Sequence, residues 1–318
     1  MDFISTLGNC QIVNLLAFAH NKFMELEEKK YWLGFSAFEG IGPVRFKLLW
    51  EYFGSAKSAF LAPAEVLEEV GLGKKLVEKF VFFRRSFDLD DYLHSLKHLG
   101  IITVCLPEKT YPPLLKEIED PPPLLYIKVA DLTAWEELLS LKVVSVVGTR
   151  KITDYGRKTT QTIVRGLVKK GFLIVSGLAR GVDRVAHEAA IENMGKTLAI
   201  FGTGLETVYP SEHQALAEKI VKSGGALVSE FPLAAKISKG NFVTRNRIIS
   251  GLSLGVVITQ AAERSGSLIT ASFAGRQGRE VFAVPGPVTS SLSAGTASLI
   301  QKGAKLVYNV GDILEELV

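Results

Sequence analysis

The sequence predicts an α/β fold, a mainly parallel sheet with helices on both faces, preceded by a small all-α domain. Three observations predict it. From Lys142 onward, short apolar runs alternate with segments of helical period. Strands that read as near-continuous apolar runs belong to parallel sheets covered on both sides. Several runs end at a glycine before a helical pattern begins, as in "KVVSVVGTRKITDYG", Lys142 to Gly156. Before that region, helical patterns are joined by Gly-x-Gly turns, Gly40-Ile41-Gly42 and Gly71-Leu72-Gly73.

Residues 9–27 carry Ile12, Leu15, Leu16, Ala19 and Phe23 on one helical face. The two Gly-x-Gly turns that follow resemble paired helix-hairpin-helix units. Such turns can aim backbone N–H groups at a phosphate; the competing reading is ordinary helix-to-helix packing, which an acidic region favours. Residues 1–105 are thus expected to form a helical domain. Residues 106–141 include "PEKTYPPLLKEIEDPPPLLY", and repeated proline blocks helix continuation, so an ordered connector is expected. In 142–318, strands are expected at Val143–Gly148, Phe172–Gly177, Thr197–Gly202, Ala226–Glu230, Leu254–Gln260 and Glu280–Pro285. Helices are expected over 156–170, 181–194, 211–223, 241–251 and 267–278, with a last helix and short strand around 296–308.

Composition bounds the class. Of 318 residues, 47% are apolar and 22% charged, which suits a globular chain with ample core. No apolar run is long enough for a membrane span, and "MDFISTLGNC" lacks the basic region of a secretory signal. Cys10 and Cys105 are far apart and suit a reduced cytoplasm, as core residues. Residues 1–139 hold 15 Lys and Arg against 20 Asp and Glu, a balance of −5, whereas residues 140–318 hold 22 against 13, a balance of +9. The basic half is the candidate polyanion binder.

Ligands on such sheets sit at the carboxyl ends of strands. "GTRKITDYG" offers Gly148, Thr149 and Arg150, with Asp154 as a helix cap, and "SGLARGVD" offers Ser176, Gly177, Arg180 and Gly181. Glycine lets a ligand approach the backbone, the hydroxyl donates, and guanidinium gives a planar fork for phosphate. A single such loop is explained by a salt bridge; a pair in one sheet points to phosphate. "NFVTRNRIISGLS" adds Arg245, Asn246 and Arg247 with Phe242 three residues earlier, a set suited to phosphate charge and base stacking. The competing reading places Phe242 in the core and pairs one arginine with Glu230 or Glu263; one of the two arginines is expected to be structural. Ser265, Gly266, Ser267 and Thr270 open a helix and form an anion nest. No dinucleotide fingerprint, P-loop, nucleophile elbow or metal-ligand spacing is found, so no catalytic residue, cofactor or metal is expected.

"VVGTR", "IVSGLARGVD", "AIFGTGLETVYP", "VSEFP", "NFVTRNRIISGLS", "AERSGSLITASFA", "REVFAVPG" and "GTASLIQKGA" stand in the order and spacing of the DNA-processing protein A (Smf) family. The resemblance covers about residues 105–312. It implies an extended Rossmann-like domain binding single-stranded DNA, behind a SAM-like or helix-hairpin-helix-like N-terminal domain. It also implies a part in natural transformation: protecting incoming strands, helping load the RecA recombinase, and working as a homodimer. Gly148, Thr149 and Arg150 would hold phosphate, extended by the Arg180 loop, by Arg245 to Arg247 and by the Ser265–Thr270 nest. Val182 stands where isoleucine is commoner, and no C-terminal winged helix is expected. The chief rival, a nucleoside-monophosphate phosphoribohydrolase, needs P-G-G-x-G-T-x-x-E where this chain reads "QAAERSGSLIT".

Overall fold

A computed structural model describes residues 24–317 of the chain. Most of the helix expected over 9–27, and Cys10, lie outside the described residues. The described residues divide into two compact units, residues 24–98 with 103–111 and 122–125, and residues 99–102 with 112–121 and 126–317.

The first unit is helical: α1 (Leu26–Ala37), α2 (Pro43–Phe53), α3 (Ala56–Leu61), α4 (Ala64–Glu69), α5 (Lys74–Ser86) and α6 (Leu89–His98). Local signals fix its boundaries. Pro43 opens α2 behind Gly42, and Gly54 ends it in the left-handed region at φ 71°. The Ser55 hydroxyl accepts from the Ser58 N–H at 3.0 Å, while the Glu28 carboxylate reaches across to accept from the Ala56 and Lys57 amides at 2.5 and 3.2 Å. These bonds satisfy N–H groups that the first turn of α3 leaves open. Both Gly-x-Gly turns join helices, and their central residues, Ile41 and Leu72, are buried. The core is aromatic: Phe80 stacks on Phe35 at 5.2 Å, and Phe60 meets Phe35 edge-on at 5.3 Å. Cys105 is buried and unpaired, and burial pushes its thiol pKa up.

The strands are β1 (Ile101–Cys105), β2 (Leu124–Lys128), β3 (Val143–Val147), β4 (Leu173–Ser176), β5 (Thr197–Ile200), β6 (Ala226–Ser229), β7 (Gly255–Ile258), β8 (Glu280–Ala283) and β9 (Lys305–Leu306). Among the described residues they form one sheet in the order β1-β2-β6-β5-β4-β3-β7-β8-β9. From β6 to β9 every pairing is parallel, and β2 runs antiparallel to β6. All six expected strands are present. So are the expected helices, as α9 (Asp154–Lys169), α10 (Val182–Glu192), α11 (Gln214–Lys222), α12 (Lys239–Gly251), α13 (Ser267–Arg276) and α14 (Ala294–Gln301). β1 and β2 were not expected as strands, nor were the short helices α7 (Pro113–Lys116), α8 (Leu132–Leu139) and α15 (Gly311–Leu317). "LLYIK" looked like part of a Pro-rich connector, yet four of its five residues are buried. Thr153, one residue before the expected Asp154, caps α9 by accepting from the Gly156 amide at 3.1 Å.

The fold is an extended Rossmann-like one. Val144, Val146, Ile174, Val257 and Phe282 of the sheet pack with Ile163, Val164 and Leu167 of α9 and with Ala186 of α10. Each large apolar side chain so buried contributes roughly 1.5–3 kcal/mol. Among the described residues no helix is long and apolar enough to cross a membrane.

His187 of α10 is fully buried, and its Nδ1 bonds the Thr197 hydroxyl at 2.8 Å, which itself donates to the Ile174 carbonyl at 2.7 Å. Burial, helped by nearby His213 and Arg245, holds its pKa down at about 3 against an ordinary 6.5. Between those values the unfolded chain binds a proton that the folded chain refuses, so stability falls as pH falls. Each pH unit below 6.5 is expected to remove up to about 1.4 kcal/mol through this group, down to about pH 3. Urea midpoints measured from pH 7 to pH 4 should show a slope that flattens in His187→Gln.

Candidate nucleic-acid interface

The carboxyl ends of β3, β4 and β5 surround a cleft of about 280 Å³. It is lined by Arg150, Lys151, Ile152, Arg157, Arg180, Gly181, Arg184, Val185, Glu212 and His213. Among the described residues, five lining side chains are basic and one is acidic. A smaller hollow shares Arg150 and Arg180 and adds Gly177, Ala179, Tyr209, Pro210, Phe242 and Arg245. Tyr209 and Phe242 lie with ring centroids 5.1 Å apart, and Tyr209 is half exposed. The ring of Phe242 lies against Gly202, where a Cβ would come within 2.6 Å of it.

The loop bearing Arg150 is pinned from three sides. The Thr149 amide donates to the Gln260 carbonyl at 2.7 Å, and the Val182 amide donates to the Thr149 carbonyl at 3.1 Å. The Gln260 side chain spans Thr153, accepting from its amide at 3.1 Å and donating to its hydroxyl at 2.8 Å. Gln260 thereby bridges the crevice between β3 and β7, where the strand order reverses and ligands of open sheets usually sit. The open cleft is displaced toward β4 and β5. Gly148 is required for packing: a Cβ there would lie 2.6 Å from Val182 and 2.7 Å from the Gln260 carbonyl. Gly181 has φ +79°, and its Cα faces the Thr149 carbonyl too closely for any side chain.

The expected ligand residues divide into two groups. Arg150 and Arg180 are exposed in the cleft beside Gly181, and Gly177, Phe242 and Arg245 line the adjoining hollow. The others are differently engaged. Thr149 is 7% exposed, and its hydroxyl accepts from the Lys151 amide at 3.1 Å. Ser176 is fully buried and donates to the Val146 carbonyl of β3 at 2.7 Å. Asn246 accepts from Arg245 Nε at 3.3 Å. Ser265 and Ser267 bond each other at 2.8 Å, Thr270 is buried, and neither they nor Gly266 line the cleft.

Both arginines of α12 are buried, where one was expected to be structural. Arg245, 4% exposed, donates to the carbonyls of Gly177 and Ile200 beneath the hollow. Burial lowers its pKa to about 10, opposed by Asp183, so it stays charged at neutral pH. Asp183 is buried opposite, accepts from the Gly177 and Ala179 amides at 3.2 and 3.3 Å, and has its own pKa raised by burial. Arg247, 2% exposed, pairs with Glu230 at 2.5 Å and Asp120 at 3.0 Å. Burial pushes the Glu230 pKa up, against the pull of Arg247. Arg279 likewise donates to the Leu114 carbonyl at 2.7 Å and pairs with Glu117 at 3.2 Å, so two arginines hold the segment 112–121.

Lys151, Arg157, Arg184, Tyr209 and Glu212 were missed by sequence reasoning. Two signals were readable. Arg184 follows Arg180 by four residues, and Arg157 stands in the first turn of a helix whose start was expected.

Fold and cleft define a Rossmann-like α/β protein with a cationic site at its strand ends. Residues 102–318 match the family described as DNA recombination-mediator protein A, and the chain belongs to that family. It is 39% identical over 297 residues to Protein Smf of Synechocystis, covering 92% of this chain and 74% of that protein. It superposes on DNA processing protein A (DprA) from Streptococcus pneumoniae with TM-score 0.77 and 34% identity, covering 94% of this chain and 99% of the other. DNA processing protein A from Helicobacter pylori, described for its single-stranded DNA binding mode, gives TM-score 0.60 and 32% identity over 68% of this chain and 95% of that one.

Arg247→Ala would leave the Glu230 carboxylate buried without its partner. It is expected to cost about 3–5 kcal/mol in urea unfolding. Combining it with Glu230→Gln should recover part of that loss.

Proposed function

We propose that this chain binds single-stranded DNA in DNA processing during natural transformation. The carrying observation is the concentration of Arg150, Lys151, Arg157, Arg180 and Arg184 around one cleft, with Tyr209 and Phe242 beside it. Guanidinium forks suit phosphate oxygens, and an exposed aromatic face such as that of Tyr209 suits unstacked bases of any identity. The single-stranded DNA binding mode described for the Helicobacter pylori relative supports the same reading. In this reading Arg150 meets phosphate directly, while Arg245 shapes the floor from below. Gly148, Thr149, Ser176, Asn246, Arg247 and the Ser265–Thr270 turn act as scaffold.

The role is binding without catalysis. Glu212 is the carboxylate of the cleft, and its hydrogen bonds from Arg180 hold its pKa below the usual range, which suits a poor general acid. Glu263, which precedes the Ser265–Thr270 turn, is exposed outside the lining. The finer reading is a cytoplasmic homodimer that protects incoming strands and helps load RecA; family membership supports it. Light scattering and RecA pull-down with DNA present are its checks.

Fluorescence anisotropy with single-stranded and duplex DNA of equal length tests the main proposal. The single strand should bind more tightly, with log K falling against log salt by about 0.7 for each phosphate engaged. Arg150→Ala should weaken binding roughly ten- to a hundredfold, the range of a charge-assisted contact, with its thermal melt unchanged. Equal affinity for duplex, or normal binding by the variant, would overturn the proposal.

A further inference from the structure

Arg180 is exposed in the cleft, yet its fork is already filled. Nε donates to Glu212 Oε1 at 2.7 Å and Nη2 donates to Glu212 Oε2 at 2.6 Å. This two-oxygen, two-donor geometry is the one that guanidinium offers to a phosphate. Among the described residues, Arg150 has no such carboxylate partner within the lining. We propose that Glu212 is an internal stand-in for phosphate, which keeps Arg180 closed in the free protein and releases it when a DNA phosphate arrives. The inference rests on the cleft being the DNA site.

One observation makes the pair a built feature. Its ends are stapled next to the fork: His213, adjacent to Glu212, is buried, and its Nδ1 bonds the carbonyl of Leu178 at 2.8 Å, two residues before Arg180. The turn Ser211–His213 and the loop Leu178–Gly181 are therefore fixed together, which presents carboxylate and guanidinium at bonding distance. The pair itself is solvent-exposed, with side chains 59% and 51% accessible. Exposed pairs gain little in net terms, so exchanging carboxylate for phosphate is cheap. Glu212 stays ionised near neutrality, its pKa lowered chiefly by the hydrogen bond to Arg180. A strand would be caught first at Arg150, and would take Arg180 only by turning Glu212 out.

The proposal makes Glu212 a determinant of how many phosphates the cleft holds. Anisotropy with the full chain and a fluorescent single strand tests it, using Glu212→Gln, Glu212→Ala, Arg180→Ala and Arg180→Ala/Glu212→Gln. Removing the carboxylate should tighten binding roughly two- to fivefold, the range an exposed ion pair commands, and steepen the salt slope. In the Arg180→Ala background the same change should give no gain. A gain of equal size there would mean that Glu212 merely repels DNA through space, and would overturn the proposal. So would unchanged or weaker binding in both single Glu212 variants. Arg150→Ala separates the two levels: if it binds normally, the cleft is not the DNA site. If it binds weakly while Glu212 and Arg180 show no coupling, only the stand-in role falls.

Discussion

The buried guanidinium of Arg245 is the interaction on which the strand-end region depends. It reaches from α12 to the carbonyls that close β4 and β5, those of Gly177 and Ile200. Carbonyls at the ends of parallel strands have no ladder partner, and away from water they need a donor. A cation supplies it, and Asp183 across the way offsets its charge. The arrangement dictates residue size: a Cβ on Gly177 would lie 2.6 Å from the guanidinium. That glycine makes room for an arginine of the chain itself, although its place in a strand-end loop suggested room for a ligand.

The basic balance of the second half therefore separates into two populations. Arg245, Arg247 and Arg279 are consumed internally, joining strand ends and the segment 112–121. Arg150, Lys151 and Arg157 face solvent at the strand ends, and Arg180 and Arg184 do so with carboxylate partners. Net charge counts both populations alike, although only the second can meet a partner. Buried pairs such as Arg247 with Glu230 bring large desolvation costs, and their value lies in fixing one arrangement.

The sheet was legible because parallel strands are buried on both faces and read as unbroken apolar runs, such as Val143–Val147 and Ala226–Ser229. β2 escaped because its run begins directly after Pro121-Pro122-Pro123, and prolines argue against a strand. In the site, Arg150 and Arg180 were legible because glycine-flanked loops after strands expose their side chains. Arg245 and Arg247 misled because a helix start shows which residues it carries but not which face turns inward. Glu212 was missed for a different reason: its place in the cleft comes from a neighbouring strand in space, and no spacing in the chain encodes it.

The clamp of Gln260 and Val182 on the Arg150 loop has a consequence for the kinetics of capture. A flexible loop must be ordered by its ligand, and that loss of freedom is subtracted from the contact made. Here the backbone of Thr149 is already bonded on both sides and Thr153 is held twice. What remains to be frozen is the rotamer freedom of one arginine, on the order of 0.5–1.5 kcal/mol. If the cleft is the DNA site proposed above, nothing in the Arg150 loop would have to rearrange before contact, so encounter would be limited by how fast a charged strand diffuses to the cleft, while residence time would be set by how many forks close on it.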